Sequence, residues 1–224
     1  ILKMFISKIV KLPVSDFGMP KFEIKIRWIL IAILLPCIIK GIYVLIFNGE
    51  YVSSNMNGNE IFNTLSAGVA FTGIAAGFVE EMVFRGVILN ALKKRWNMKV
   101  AVIVPSMLFG IVHVLGQDFS IGSCLLVIIA GTMVGVMFSM IAIESGSVWN
   151  SGIVHAIWNI VIIGGGLAIG EKMDPYSVMT YVLDSKVFAI TGGEFGIESS
   201  VISLIGYIIV AGIAFIMIKS NRKN

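Results

Sequence analysis

The sequence predicts an all-α, multi-spanning transmembrane helix bundle with about six spans. Apolar residues make up 57% of the 224-residue chain and charged residues only 13%, whereas about a quarter of the residues in soluble domains are charged. The apolar residues form runs of roughly 20, the length that a helix needs to cross the hydrocarbon of a membrane. Basic residues are concentrated in alternate connectors between these runs. These three features together indicate a membrane protein.

The first 27 residues form a basic leader that we expect to lie on the membrane surface. Leu2, Phe5 and Ile9 recur at helical spacing, with lysines between them. A helix with one apolar and one basic face binds at the interface of an anionic leaflet. Pro13 and Pro20 then interrupt the helical pattern. A disordered basic leader is the alternative interpretation of this segment.

Six apolar runs follow the leader, at residues 28–47, 64–92, 100–116, 121–143, 148–170 and 200–218. The connectors 48–63, 117–120 and 171–199 contain two basic residues, whereas the leader, residues 93–99 and the tail 219–224 contain thirteen. Basic connectors favour the cytoplasmic side of a membrane. Six spans therefore place both termini in the cytoplasm.

The same alternation explains the net charge of +4 as membrane topology. Nucleic-acid binding would need a contiguous basic surface, and none remains once the spans are assigned. We expect a single membrane-embedded domain over residues 1–224, made of the leader, the bundle at 28–218 and the tail. The expected location is integral to a membrane, namely a bacterial cytoplasmic membrane.

Small residues in two of the spans predict closely packed helices. Gly68, Gly73 and Gly77 repeat along the second span, and Gly131 and Gly135 form a small-xxx-small pair in the fourth. Such residues allow the backbones of neighbouring helices to approach each other in a membrane.

Ionisable side chains inside three of the spans are the most informative feature of the sequence, because a charge in hydrocarbon is costly. The second span contains Glu80, Glu81 and Arg85. The two histidines of the chain are His113, which ends the apolar part of the third span, and His155 in the fifth. With about 1.5 Å of rise per residue from the nearest span ends, these groups reach similar depths.

Helical spacing pairs Glu81 with Arg85, because residues four apart lie on one face of a helix. Two adjacent carboxylates in a low dielectric cannot both stay ionised without compensation. Arg85 compensates Glu81 and leaves Glu80 as the carboxylate that can act as a general base beside a histidine. A structural polar network that holds the helices together is the alternative. The convergence of such groups from three spans favours a functional site.

Three motifs follow one another on separate spans: EExxxR at 80–85, FxxxH at 109–113 and HxxxN at 155–159. In order and spacing they resemble the intramembrane CAAX-protease and bacteriocin-processing family, also called the Abi family. The resemblance covers about residues 65–165. It implies an intramembrane endopeptidase of the glutamic type, without a covalent intermediate and without a cofactor.

By that resemblance, Glu80 activates a water molecule, and His113 holds and polarises it. His155 and Asn159 stabilise the oxyanion as the peptide carbonyl becomes tetrahedral. The other motif residues support the site: Glu81, Arg85 and Phe109. The expected partners are membrane lipid and a peptide or precursor protein as substrate, entering from the cytoplasm or from lipid. No nucleic acid is expected, and no membrane-protein partner is identified.

Two other interpretations stay open. The first is a zinc-dependent intramembrane protease in which Glu80, Glu81, His113 and His155 provide the ligands, because two histidines and a carboxylate can hold zinc and leave a position for water. Against it, the HExxH motif is absent, and Arg85 lies one turn from the carboxylates. The second is a non-catalytic bacteriocin-immunity or scaffold protein with the same polar core.

Overall fold

Each of the six apolar runs contains a helix in the computed structural model, which describes residues 18–221. The predicted surface helix of the leader falls in residues 1–17 and lies outside the described residues, as do the last three residues of the tail. A short helix lies between the fifth of these helices and the last. The helices are α1 (Ile26–Ile46), α2 (Gly58–Arg95), α3 (Met98–Val112), α4 (Ile121–Ser145), α5 (Val148–Ile163), α6 (Phe188–Thr191) and α7 (Val201–Asn221).

Four of these helices, α1, α2, α4 and α7, are long and apolar enough to cross a membrane. The other two, α3 and α5, are also apolar but have only 15 and 16 residues, fewer than the roughly 20 of a full crossing. The count of six spans and the cytoplasmic placement of both termini therefore stay predictions. Large apolar side chains cover the outward faces of the helices, including Leu45 and Phe71. Because lipid accepts such a surface and water does not, the chain is an integral membrane protein.

Helix α2 begins earlier than predicted because Asn57 caps it. The Asn57 side chain accepts hydrogen bonds from the backbone N–H groups of Asn59 and Glu60, and the Glu60 carboxylate accepts one from the N–H of Asn57. This reciprocal arrangement is a capping box, and it satisfies backbone donors that otherwise lack partners at the start of a helix. Residues 58–63 therefore belong to the helix and not to the predicted connector 48–63.

Two stretches of α2 are wound as π-helix, Gly68–Ala75 and Met82–Ile88, with α-helical turns at Ala76–Glu81 between them. The π-helix is rare and occurs mostly as short insertions, often at functional sites. Each stretch changes the rotation of the helix, so the side chains on either side of Ala76–Glu81 face directions that a regular α-helical spacing does not give. The predicted carboxylate pair lies at the end of the central turns.

The all-α prediction is wrong in one respect, because three short strands form a small sheet. These strands are β1 (Gly49–Ser53), β2 (Leu167–Gly170) and β3 (Met179–Leu183), in the order β1-β3-β2. Strand β3 pairs antiparallel with β1 and parallel with β2. It carries β-branched and aromatic side chains, which favour strands, and the pairing satisfies backbone groups of the connectors.

The predicted fifth span, 148–170, is wrong beyond Ile163. Three glycines follow this residue, and Gly165 has a φ of +81°, a conformation that L side chains rarely adopt. The chain leaves the helix there and enters β2 four residues after Ile163. The predicted third span is likewise too long, because α3 ends at Val112 and His113 is its C-terminal cap residue.

The glycines mark close helix contacts, as predicted. A Cβ atom built on Gly77 of α2 would lie 2.8 Å from the backbone nitrogen of Ala156 in α5. A Cβ atom on Gly131 of α4 would lie 2.6 Å from Cα of Gly110 in α3. No real side chain tolerates such distances, so these glycines set how closely α2 and α4 approach their neighbours. Both contacts lie beside the predicted site.

Opposite ends of the bundle differ in chemistry. At one end, the basic end, Arg27 at the start of α1 forms an ion pair with Glu144 in the last turn of α4, and Trp28 donates a 2.9 Å hydrogen bond to the same carboxylate. The other end is covered by residues 164–200, which we call the cap. The cap contains β2, β3, α6 and two 3₁₀ turns, Gly193–Phe195 and Ile197–Ser199.

Candidate active site

A cavity of about 170 Å³ lies between helices of the bundle and the cap. We call it the site cavity. It is lined by five of the seven site residues that the sequence predicts: Glu80, Phe109, His113, His155 and Asn159. Helices α2 and α5 and the end of α3 bring them together, as the motif spacing predicts. The other two predicted residues, Glu81 and Arg85, do not line the cavity.

The Glu80 carboxylate and the His155 ring face each other across the cavity wall. Oε2 of Glu80 lies 3.8 Å from Nε2 of His155, and the Glu80 side chain is 33% exposed. The opposite ring nitrogen, Nδ1, lies 3.3 Å from Oε1 of Glu81. The histidine ring therefore sits between the two adjacent carboxylates. When Nδ1 carries a proton, it donates to Glu81, which fixes the orientation of the ring towards Glu80.

Glu81 and Arg85 form a fully buried ion pair behind the cavity. Nη1 of Arg85 donates a 2.7 Å hydrogen bond to Oε1 of Glu81, which confirms the pairing that the four-residue spacing predicts. Nη2 of Arg85 donates to the backbone oxygen of Gly135 in α4, at 3.0 Å. The guanidinium carbon also lies 4.7 Å from the ring centroid of Phe109, within the range of a cation–π contact. These contacts join α2 to α3 and α4.

His113 ends α3 and is held by its own helix. Its Nδ1 lies 2.6 Å from the backbone oxygen of Phe109, one turn earlier. Because a carbonyl oxygen only accepts, Nδ1 carries the proton of this bond, and Nε2 is left without a protein partner among the described residues. No hydrogen bond or ion pair joins His113 directly to Glu80 in the described part of the chain. The histidine in contact with Glu80 is His155.

Asn159 is tied to α2 by one hydrogen bond. Its Nδ2 donates to the backbone oxygen of Thr72 at 2.9 Å. Thr72 lies in the first π-helical stretch of α2 and also lines the site cavity. An amide nitrogen carries two hydrogens, so the second remains able to donate to a group in the cavity. His155 and Asn159 thus present donors from one face of α5.

Residues 62–161 of the chain match the family described as Type II CAAX prenyl endopeptidase Rce1-like. We call these matched residues the Rce1-like segment. This confirms the resemblance that the three motifs carry, since the Rce1-like family is the CAAX-protease and bacteriocin-processing family. No curated protein and no solved structure shows a significant match to the chain. The Rce1-like family is a protease family, so the match supports a hydrolase that acts on a peptide or protein substrate.

Several cavity residues of the Rce1-like segment were not predicted as site residues, and one of them, Phe138 of α4, contacts His155 directly. Its ring stacks on the His155 ring, with centroids 4.5 Å apart and planes at 19°. The guanidinium carbon of Arg85 lies 5.3 Å from the centroid of the same ring. No signal in the sequence separates Phe138 from its apolar neighbours, because the whole fourth span is apolar.

Two further cavity residues, Phe195 and Glu198, come from the cap and lie outside the Rce1-like segment. The Phe195 ring lies 6.1 Å from the ring of His113. The Glu198 carboxylate accepts a 3.1 Å hydrogen bond from Nε1 of Trp158 in α5. The sequence feature that could have pointed to Glu198 as a site residue is its position as a carboxylate immediately before an apolar span. Residues 171–199 were predicted only as a connector, without a site residue.

The described side chains offer no ready metal centre. Within residues 18–221, no three side chains of histidine, cysteine, aspartate or glutamate lie close enough together to hold a metal ion. The zinc alternative needs three or four of Glu80, Glu81, His113 and His155 around one point, and this arrangement does not provide such a set.

Proposed function

We propose that this protein is an intramembrane endopeptidase in which the Glu80 carboxylate activates water. The observation that carries the proposal is the site cavity itself, where Glu80, Asn159 and both histidines of the chain line one space of about 170 Å³. The match of residues 62–161 to a protease family supports peptide-bond hydrolysis. The substrate that we propose is a small peptide or precursor protein.

In the first step, a water molecule in the cavity donates one hydrogen bond to Glu80 and the other to Nε2 of His113. Nε2 can accept because the proton of the His113 ring is held at Nδ1 by the Phe109 carbonyl. Glu80 takes a proton from the water as its oxygen attacks the carbonyl carbon of the substrate, which is general base catalysis. The carbonyl oxygen then becomes an oxyanion.

Stabilisation of the oxyanion comes from His155 and Asn159. Asn159 donates the amide hydrogen that its bond to Thr72 leaves free. His155 donates through Nε2 when both ring nitrogens are protonated, with Nδ1–H directed at Glu81. The negative charge of Glu81 offsets the imidazolium. Donors that are fixed before the reaction and aimed at the developing charge contribute strongly to catalysis.

Collapse of the tetrahedral intermediate breaks the carbon–nitrogen bond. Glu80 returns the proton that it took from water to the leaving nitrogen, so the products are a carboxylic acid and an amine. Glu80 regains its starting state, and no covalent intermediate with the protein forms.

The test is a comparison of peptides released in cells that produce the wild type, Glu80→Gln or Glu50→Gln. Glu50 is an exposed carboxylate on β1 that lines neither the site cavity nor its surroundings, so its variant is a matched control. Peptide termini that appear with the wild type and with Glu50→Gln should be absent with Glu80→Gln. If all three cells release the same peptides at equal protein levels, the non-catalytic scaffold interpretation replaces this proposal.

A second measurement addresses the zinc alternative. Purified protein should keep its activity after treatment with a strong chelator, because the mechanism uses only carboxylate, imidazole and amide groups. Activity that is lost to the chelator and regained on addition of zinc would favour the metalloprotease.

A further inference from the structure

A second and larger cavity, of about 700 Å³, lies in the cap. We call it the cap cavity. Three residues line both this cavity and the site cavity: Ile163, Phe195 and Glu198. The two spaces therefore adjoin at these residues, and a chain that passes from the cap cavity to Glu80 must pass them. The cap cavity lies at the end of the bundle opposite the basic end. The basic connectors predict that the basic end faces the cytoplasm, so entry through the cap differs from the entry from the cytoplasm or from lipid that the sequence led us to expect.

Charged side chains line the cap cavity, namely Lys172 and several carboxylates, unlike the apolar surface that the bundle presents to lipid. Carboxylates lining it include Glu171, Asp174 and Glu194, and each already accepts a hydrogen bond. Thr191 donates to Glu171 at 2.6 Å, Ser177 donates to Asp174 at 2.6 Å, and the backbone N–H of Ser120 donates to Glu194 at 2.7 Å. These three carboxylates shape the cap, whereas Glu198 lies where the two cavities meet.

Glu198 is held in place at this junction, but its carboxylate forms no ion pair with a described residue. Nε1 of Trp158 donates to Oε1 of Glu198, and the Tyr207 hydroxyl donates to its backbone oxygen at 2.9 Å. Among the described residues, no lysine, arginine or histidine nitrogen lies within 4.0 Å of the Glu198 carboxylate. The nearby ammonium group of Lys40 donates instead to the backbone oxygens of Val161 and Leu167.

A carboxylate removed from water costs free energy unless a cation or several hydrogen bonds compensate it. Burial raises the pKa of Glu198 for this reason. The protein supplies one side-chain donor, Trp158, and thus leaves part of the carboxylate for a group that arrives with the substrate. A positively charged group is the partner that gains most from this position.

We infer that Glu198 is a specificity-determining residue, which binds a positively charged group of a peptide that enters the site cavity from the cap cavity. The group is a lysine or arginine side chain or a terminal amine, held at a fixed distance from the bond that Glu80 hydrolyses. This inference rests on the proposed function. It names the class of substrate, a cationic peptide, and the side from which the substrate enters.

The experiment uses the purified full chain in detergent and a random-sequence peptide library, with cleavage sites read by mass spectrometry. Sites cleaved by the wild type and not by Glu80→Gln should be enriched in lysine and arginine at one fixed position. Three quenched fluorescent peptides that differ only at that position, with Lys, Gln or Glu, then give kcat/KM. We expect the Lys peptide to exceed the Gln peptide by about tenfold or more, as for one charge-assisted hydrogen bond.

Variants at Glu198 sharpen the result. Glu198→Gln should bring the Lys-to-Gln ratio close to one, mainly through KM, and Glu198→Lys should favour the Glu peptide. Glu198→Asp keeps the charge and should retain part of the preference. Glu50→Gln, on the same end of the molecule, should keep the wild-type ratio. Binding of the Lys and Gln peptides to Glu80→Gln protein, with and without Glu198→Gln, gives the same comparison without turnover.

The outcomes separate this inference from the proposed function. Cleavage that depends on Glu80 but shows no cationic preference, or a preference that survives Glu198→Gln, overturns the role of Glu198 and leaves the protease in place. A uniform fall in kcat for all three peptides would instead make Glu198 a proton donor to the leaving amine, and it also overturns the inference. Absence of any cleavage that depends on Glu80 overturns both.

Discussion

Glu80 and Glu81 are neighbours in the sequence, yet their carboxylates lie in two different regions of the molecule. Glu81 is fully buried, bonded to Arg85 at 2.7 Å and to Nδ1 of His155 at 3.3 Å. Glu80 is 33% exposed and lines the site cavity, with its nearest nitrogen partner, Nε2 of His155, at 3.8 Å. The Glu81 carboxylate is used for contacts within the protein, whereas the Glu80 carboxylate is accessible to water and substrate.

This difference follows from helix geometry. Successive residues of an α-helix differ by about 100° in direction, so Glu80 faces the cavity while Glu81 faces Arg85 and Nδ1 of His155. His155 touches both and links the structural carboxylate to the reactive one. Two adjacent acidic residues in a membrane helix can thus avoid strong repulsion, because their carboxylates point into different surroundings. The comparison predicts that changes on the Glu81 side alter stability, and changes on the Glu80 side alter activity.

The largest effect on stability is expected from Arg85→Leu. This change leaves Glu81 buried without its ion-pair partner, and the loss of one member of a buried pair costs about 3–5 kcal/mol. The measurement is the free energy of unfolding in mixed micelles. Arg95→Leu, at the exposed end of the same helix, is the matched control and should change this free energy by less than about 0.5 kcal/mol. Equal values for the two variants would remove the distinction between the carboxylates.

On the Glu80 side, Asn159→Ala should lower kcat by about 10²–10³-fold, as for the loss of one oxyanion donor. The same change breaks the hydrogen bond to the Thr72 carbonyl, which contributes only about 1 kcal/mol to stability. Kinetics with a cleaved peptide and an unfolding measurement on the same variant separate the two roles. A fall in kcat of less than about fivefold would mean that Asn159 has only a structural role, in which its hydrogen bond to Thr72 connects α5 to α2.

A smaller effect is expected from Phe138→Leu, which removes the ring stacked on His155. An aromatic pair of this kind contributes about 0.5–1.5 kcal/mol beyond its buried area, so kcat/KM should fall by about two- to tenfold as the ring of His155 loses its orientation. Phe71→Leu, on the exposed face of α2, is the control. A similar fall in both variants would assign the effect to general packing.

The sequence was sufficient for the helices and for the motif residues that line the site cavity. Long apolar runs and buried charges are local signals, and the four-residue spacing in each motif places the paired side chains on one helix face. The pairing of Glu81 with Arg85 was predicted for this reason, and the close contact at Gly77 was predicted from the small residues that repeat along the second span. The Rce1-like match covers the same part of the chain.

The cap was not predictable in the same way. Strand β3 pairs with β1, in which Gly49 lies 134 residues before its partner Leu183, and with β2, in which Leu167 lies 12 residues before its partner Met179. Such pairing depends on tertiary structure rather than on a local period. The position of Glu198 depends in turn on the cap and on Trp158. The π-helical stretches of α2, which turn Thr72 towards Asn159, also have no period that the sequence displays.

The smallest expected effect is the pH dependence of the substrate preference. It tests Glu198, the other carboxylate that lines the site cavity. Burial raises the pKa of Glu198, so its carboxyl ionises at higher pH than an exposed glutamate. The ratio of kcat/KM for the Lys peptide over the Gln peptide should therefore rise as pH increases through that pKa, because only the ionised form attracts the cation.

The charged and titratable groups that act on Glu198 are Glu80 from α2, His155 from α5 and Lys40 from α1. Their effects on the chemical step cancel in the ratio, since both peptides share it, and the ratio for Glu198→Gln should stay flat. A flat ratio in the wild type would mean that no cation reaches Glu198, and the accessible carboxylate of the site would then be Glu80 alone.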